Sequence, residues 1–416
     1  MQKSITLLLL LLIGLAKARS QATLKLDDVL SAIAAHHPSI KMYDADIRAS
    51  DEAVKGARSW EAPELGTGFW MTPYNPSLWK KNADGSSGMG QYMISARQMI
   101  PNKKELDANE QYLRAVSAVG KESKQANLNE LYAVAKMSYY SWLITEKKLR
   151  VLDDNEKLLQ FMIQSTEIRF KNNLGKLNAY YKAKAELGEL ENQRILLQNE
   201  IAQQQVRLNT LMNRDNQPAF SIDTSYTIKD YRPADSSYFG QARSDIRAVQ
   251  KNIDLATLQQ NLERTKLKPQ FGAQYDHMFG FGGQPLQYSL MATVRLPMAA
   301  WSSKKTKASI ESLKWKAESL AQQKQVMTHE ATGQMQGLLA AITSKKRQVQ
   351  LFEQTIIPAL TKNYQVLQLG YEQNTGELFE LLDAWQTLNA TQMERLQQVQ
   401  DLLILQTEMD KILQQN

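Results

Sequence analysis

The sequence predicts a mainly α-helical chain with a small β part: duplicated long coiled-coil helical hairpins plus four strands. Three observations predict it. The chain repeats itself. Its helical stretches are too long for a compact globule. Four segments of about ten residues alternate between two kinds of side chain with period two.

The duplication comes first because it organises the rest. Pro63-Glu64-Leu65-Gly66 matches Pro269-Gln270-Phe271-Gly272, 206 residues on. Gln98-Met99-Ile100-Pro101 matches Val294-Arg295-Leu296-Pro297, 196 residues on. The run from Arg169 to Leu177 matches that from Gly370 to Leu378, 201 residues on. The order is the same in both halves. The fall from 206 to 196 gives the first copy ten extra residues, which sit in the polar, Gly-rich stretch Thr72 to Gly90, a loop where insertions are tolerated.

Each copy opens on a helix of about 23 residues, Ile40 to Glu61 or Asp245 to Leu267, which Pro63 or Pro269 ends. Two strands follow, at about 64–72 and 91–100 in one copy and about 270–278 and 287–297 in the other. A helical hairpin completes each copy, over 102–212 and 298–413. Its outgoing arm has roughly 67 residues, which at helical rise is about 100 Å. Such a length is a rod with strands at one end and a turn at the other. The expected organisation is residues 1–20 as a signal peptide, 21–213 as the first repeat, 214–244 as an equatorial linker and 245–416 as the second repeat.

The N-terminus reads as an export signal. Lys3 precedes an unbroken leucine run, Leu7 to Leu12, and small residues Ala18, Ser20 and Ala22 follow. Cleavage near Ser20 removes Lys3, Lys17 and Arg19, so the net charge falls from +7 to +4 (7 − 3). That weakens any case for a nucleic-acid partner. There is no cysteine, hence no disulfide and no site for a lipoprotein anchor. Mean hydropathy is −0.45, and past the signal no stretch approaches the ~20 apolar residues of a spanning helix. If this chain enters a membrane, it does so with strands.

The strands suit that task. Tyr92, Ile94, Tyr288, Leu290, Ala292 and Val294 fall on one face and read as lipid-facing. Met93, Ser95, Arg97, Ser289, Met291, Thr293 and Arg295 fall on the other and read as barrel lumen. An amphipathic sheet packed on a helix is the plainer alternative. Four strands cannot close a barrel, and open edges in lipid leave backbone groups unpaired, so the chain must oligomerise. Two copies give eight strands with a filled interior; three give twelve and an open lumen.

At this point the chain resembles the TolC-like outer-membrane efflux protein family. The carriers are Leu24-Lys25-Leu26-Asp27-Asp28-Val29-Leu30 with His37-Pro38, Ser244-Asp245-Ile246-Arg247-Ala248, Val294-Arg295-Leu296-Pro297, and the run Gly370 to Leu378 leading into Leu381-Leu382-Asp383-Ala384. The resemblance implies a homotrimer with a twelve-stranded β-barrel in the outer membrane and an α-helical periplasmic tunnel. It implies a passive exit duct for drugs, metal ions or secreted polypeptides. Its tips would meet a periplasmic adaptor and, through it, an inner-membrane pump. The alternative is a periplasmic coiled-coil adaptor or scaffold, which would have one hairpin rather than two.

The candidate sites follow. Asn173, Gly175 and Lys176 in the first tip, and Asn374, Gly376 and Glu377 in the second, are the expected adaptor-docking residues; the alternative is that they only turn the chain. The helix before the second tip, Ile356 to Leu369, has no acid, so the candidate entrance acids are Glu372, Glu377, Glu380 and Asp383. No catalytic, cofactor or metal site is expected. His36, His37, His277 and His329 are scattered, and Gly280-Phe281-Gly282-Gly283 reads as a hairpin turn rather than a phosphate loop. Sixteen methionines fit gap-filling in packing, with soft-metal transport as the alternative. Trp60, Trp70, Trp79 and the strand tyrosines read either as an interfacial belt or as ordinary packing.

Overall fold

The computed structural model describes residues 23–172, 177–214 and 220–415. The expected signal peptide, 1–20, and the tip residues Asn173, Gly175 and Lys176 lie outside the described residues. In chain order the strands are β1 (Thr23–Leu24), β2 (Glu64–Trp70), β3 (Gln91–Ile100), β4 (Ser221–Ile222), β5 (Gln270–Gly280) and β6 (Gln287–Arg295). The helices are α1 (Leu26–His36), α2 (Pro38–Lys55), α3 (Lys103–Lys171), α4 (Leu177–Leu211), α5 (Ser236–Ala242), α6 (Ser244–Thr265), α7 (Ala300–Leu351), α8 (Ile357–Glu372) and α9 (Leu378–Leu413). By contacts the chain forms two compact units, and each takes a part of both sequence copies. One holds residues up to Met42, Gln125–Arg243 and Thr328 onward; the other holds Tyr43–Lys124 and Ser244–Met327.

The first unit is built on seams of period seven. In α9 the buried positions Leu378, Leu382, Trp385, Asn389, Leu396, Val399, Leu403, Gln406, Asp410 and Leu413 follow a four-three spacing. In α3 the same spacing runs through Leu152, Asn155, Leu159, Met162 and Thr166. This is the pattern that brings helices together as knobs into holes. A cluster of Leu152, Leu159, Met162, Ala183, Leu190, Tyr364, Leu382 and Trp385 joins α3, α4, α8 and α9. One polar pair bonds across the seam, Asn155 Nδ2 donating to Gln392 Oε1 at 3.1 Å.

The second outgoing arm is broken where the sequence reads as one helix. Five residues, Phe352–Ile356, form a π-turn between α7 and α8, and the Ile357 N–H bonds Phe352 O. Pro358 follows, lacking an N–H and crowding the preceding turn. The wider turn makes room for it. The first arm has no proline between Lys103 and Lys171, and it runs unbroken for 69 residues.

The interval 214–244, expected as a linker, carries structure of its own. β4 pairs in parallel with β1. Downstream, Tyr231 Oη donates to Asp410 Oδ1 at 2.8 Å, and Lys229 Nζ donates to Asp410 Oδ2 at 2.7 Å. Lys136 Nζ reaches the same Oδ2 at 3.3 Å, and both Lys136 and Asp410 are buried. Burial holds the Lys136 ammonium below its ordinary pKa, against the pull of Asp410. Burial, with Asp410 beside it, pushes the Tyr231 phenol up.

The second unit holds the larger sheet, antiparallel in the order β2-β3-β5-β6. Each hairpin comes from one sequence copy, and β3 against β5 joins them. Several element bounds depart from expectation, among them these. The opening helix stops at Lys55, where Gly56 and Ala57 turn the chain with bonds to Ala53 O and Val54 O. β2 stops at Trp70 because Met71 takes φ +46°. β5 runs on to Gly280, carried by pairing with Gln91. β6 stops at Arg295, two residues before Pro297, which has no N–H for a ladder.

Candidate functional site: two sheet faces and a helical tip

Residues directly opposite in a ladder share a face. The register aligns Phe69 with Tyr92 and Phe279, Thr67 with Ile94 and His277, and Leu65 with Ala96 and Tyr275. It then aligns Tyr275 with Leu290, His277 with Tyr288, Ala273 with Ala292 and Phe271 with Val294. So Tyr92, Ile94, Tyr288, Leu290, Ala292 and Val294 lie on one face that is apolar across all four strands. Among the described residues most of it is uncovered: Leu65 is 78% exposed and Leu290 73%. His277 sits within this face, edge-on to Phe279 at 4.5 Å.

The opposite face collects Met93, Ser95, Arg97, Ser289, Met291, Thr293 and Arg295. Here polar side chains bond one another. Arg97 donates through Nε and Nη2 to Gln274 Oε1, at 2.9 and 2.6 Å. Gln274 Nε2 passes the chain on to Asp276 Oδ1 at 2.8 Å, and Arg295 Nη1 donates to Gln270 Oε1 at 3.3 Å. Gly272 allows Met99 across the ladder to lie over it: a Cβ there would meet the Met99 sulfur at 2.6 Å. The buried Asp276 is a member that sequence reading missed, since alternation puts it on this face but does not say what surrounds it.

The aromatic residues divide. Trp79 stacks on Phe281 at 5.3 Å and sits 5.7 Å from Phe69, so the β2–β3 loop closes over the hairpin end of the apolar face. Trp70 does not join it. Opposite Gln91, it lies on the polar face.

At the second tip, Tyr371 is held on both sides. The Arg169 guanidinium lies 3.9 Å from the centre of its ring and donates to its carbonyl oxygen. Thr166 Oγ1 is 3.2 Å from its hydroxyl. The chain then turns at Asn374, which takes φ +61°. The Thr375 and Gly376 N–H groups bond Gly370 O at 2.9 and 3.0 Å. Gly376 serves close approach rather than left-handed geometry: a Cβ there would lie 3.2 Å from the Gly370 and Tyr371 backbone. Glu377 is the N-cap position of α9. Glu372, Glu377, Glu380 and Asp383 are all exposed, while Leu381, Leu382 and Trp385 take the buried side of the same helix. Glu372 Oε1 accepts from Gln368 Nε2 at 3.0 Å.

Among the described residues, no group of three or more His, Asp or Glu is placed to hold a metal, and no helix is long and apolar enough to cross a membrane.

Comparison with known proteins gives this geometry a context. Residues 29–214 match the family model of the outer membrane efflux protein. No curated protein sequence matches the chain. The outer-membrane channel OprN is similar in structure at 15% identity and TM-score 0.74, over 93% of this chain and 89% of that one. The outer membrane protein VceC of Vibrio cholerae is similar at 14% identity and TM-score 0.72, over 93% and 95%. The MtrE outer membrane channel of Neisseria gonorrhoeae is similar at 13% and 0.72, over 93% and 88%. At such identities the structures speak for the fold alone. The chain is thus similar to the outer membrane efflux proteins, in sequence over residues 29–214 and in fold over nearly its whole length.

Proposed function

We propose that the chain is one subunit of a homotrimeric exit duct in the outer membrane of a tripartite efflux or secretion system. Three four-stranded sheets join edge to edge into a twelve-stranded barrel with an open lumen. The helices form the periplasmic tunnel. The duct is passive, carries no reaction of its own, and is energised by an inner-membrane pump through a periplasmic adaptor.

The observation that carries this reading is the sheet itself. It has a largely apolar and largely exposed face on one side and linked polar side chains on the other. Its outer strands, β2 and β6, each have one neighbour in the sheet. In water that face is an aggregation hazard, and in lipid the free edges cost several kcal/mol per unpaired group. Closure with further copies in a bilayer removes both problems. The apolar face, with Tyr92, Ile94, Tyr288, Leu290, Ala292 and Val294, then meets lipid. Met93, Ser95, Arg97, Ser289, Met291, Thr293 and Arg295 line the lumen.

At the far end of the tunnel the turns dock the adaptor, through Asn374, Gly376 and Glu377 and through Asn173, Gly175 and Lys176 of the first tip. The exposed acids Glu372, Glu377, Glu380 and Asp383 offer negative charge at the entrance. The test is fractionation followed by light scattering of the detergent-solubilised protein. The expected result is outer-membrane protein with the mass of three chains. A soluble periplasmic monomer would overturn the reading.

A further inference from the structure

The two ends of the large sheet differ in charge. At the hairpin end, the β2–β3 loop carries Lys80, Lys81 and Asp84, and the β5–β6 turn carries no charge. At the other end the chain passes between strands and helices, and cations gather there. Lys103 and Lys104 open α3 beside Glu105, and Lys266, paired with Glu263 at 2.5 Å, precedes β5 with Lys268. Five lysines stand against one glutamate between Ala300 and Lys316, at the start of α7.

This start of α7 has a free side. Ser303 is buried and Ile310 O accepts from Gln260 Nε2 at 3.1 Å, so that side packs against α6. At about 100° per residue, Trp301, Lys304 and Lys305 point the other way. Trp301 is 87% exposed, Lys304 and Lys305 are exposed beside it, and Lys307 is exposed one turn on from Ser303. The ion pair of this stretch lies deeper, between Lys314 and Glu311 at 3.6 Å; among the described residues the pairs leave Lys304, Lys305 and Lys307 aside. The first turn of α7 has no acid.

We propose that this rim binds the phosphate headgroups of anionic phospholipids in the leaflet nearest the helices. The proposal rests on the reading of the sheet as a membrane wall. Helical side chains lean toward the helix N-terminus, which here means toward the sheet and the bilayer. From Trp301 to Lys307 the helix rises about 9 Å, comparable with the headgroup layer on one side of a bilayer. The lysine ammoniums pair with phosphate from there, their stems against the acyl boundary. Trp301 takes the place an indole prefers, at the boundary between apolar and polar layers. A second copy of the chain is a poorer occupant. It would have to desolvate a run of lysines, which protein interfaces avoid.

The full chain, reconstituted in phosphatidylcholine vesicles with and without phosphatidylglycerol, tests this by native mass spectrometry of the lipid that stays bound. The wild-type chain should retain phosphatidylglycerol over phosphatidylcholine. Each headgroup-level lysine removed should cost about fivefold in that preference. Lys304→Gln/Lys305→Gln/Lys307→Gln should therefore abolish it, while Lys314→Gln/Lys316→Gln, two turns deeper, should keep it. No preference in the inserted wild-type chain, or equal loss in both variants, overturns the rim as a lipid site. So does loss of the oligomer in the first variant, which would make the rim a subunit contact. A chain that fails to insert at all, and is released by carbonate, instead overturns the membrane-wall reading beneath it.

Discussion

The α3–α9 seam and the β2–β6 sheet solve opposite problems with the same side chains. Along α9, Leu382, Trp385, Leu396 and Leu403 are turned inward and 1% exposed or less. Along β6, Tyr288, Leu290 and Val294 are turned outward and at least half exposed. The polar residues trade places too. On the seam they are few, as where Asn155 meets Gln392; on the polar sheet face they form a chain from Arg97 through Gln274 to Asp276. The seam buries its apolar side chains against neighbouring helices, and the sheet presents them on an open face. A substitution should therefore be judged by the side it faces, not by its hydropathy.

The largest expected effect breaks the helical side of that contrast. Asp410 is the carboxylate shared by Lys136, Lys229 and Tyr231. Asp410→Ala removes the charge that offsets the buried Lys136 ammonium and should cost about 3–5 kcal/mol. Unfolding of the detergent-solubilised chain measures this, and a loss below about 1 kcal/mol would mean water reaches the cluster. The next effect tests the sheet. Leu290→Arg should cost roughly 2–4 kcal/mol in a bilayer, against little for Thr293→Arg on the other face. Equal tolerance at the two positions would mean that the register, or the side exposed to lipid, is wrong.

Strands were easier to read than the helix interior. Period two is set by the pleat, so Tyr92, Ile94, Leu290 and Val294 declared a face without help from tertiary structure. The duplicated landmarks then gave helices and strands in order. Other features depended on contacts between residues far apart in sequence. The π-turn before Pro358 is a local accommodation that a long polar helix hides. The clasp of Lys229 and Tyr231 on Asp410 joins residues about 180 positions apart, so 214–244 read only as a linker. Trp70 and Trp79 looked alike as candidates for one belt. A strand position sends Trp70 to the polar face, and a loop brings Trp79 back over the apolar one. At the tip, Asn374 does what its type suggests, whereas Gly376 is there for a close backbone contact that composition does not show.

A smaller effect sharpens the account of the seam. Asn155 and Gln392 face each other from α3 and α9, and Asn155 Nδ2 also donates to Val151 O at 2.9 Å. Either alanine variant should cost about 1 kcal/mol, and the pair should show a coupling of roughly 0.5–1.5 kcal/mol in a double-mutant cycle. Strict additivity would show that the two amides do not bond across the seam.

At the tip a modest effect on stability should come with the largest effect on assembly. Gly370 and Gly376 lie side by side there, yet they should respond differently. Gly370 is helical, and a Cβ on it would meet its neighbours at ordinary distances, 3.6 Å or more. Gly370→Ala should therefore leave stability unchanged or raise it by about 0.5–1 kcal/mol, the usual gain for alanine inside a helix. At Gly376 the Cβ would press on the Gly370 and Tyr371 backbone at 3.2 Å, and backbone cannot swing aside as a side chain can. Gly376→Val should open the turn and loosen the bonds from Thr375 and Gly376 to Gly370 O, at a cost of about 1–3 kcal/mol. The seam below, from Leu378 inward, is long enough to hold the fold, so the trimer and barrel should persist. If the tip docks the adaptor, cross-linking to it and efflux should fall together in Gly376→Val and survive in Gly370→Ala. Efflux that survives both substitutions would leave the turn with a structural role alone.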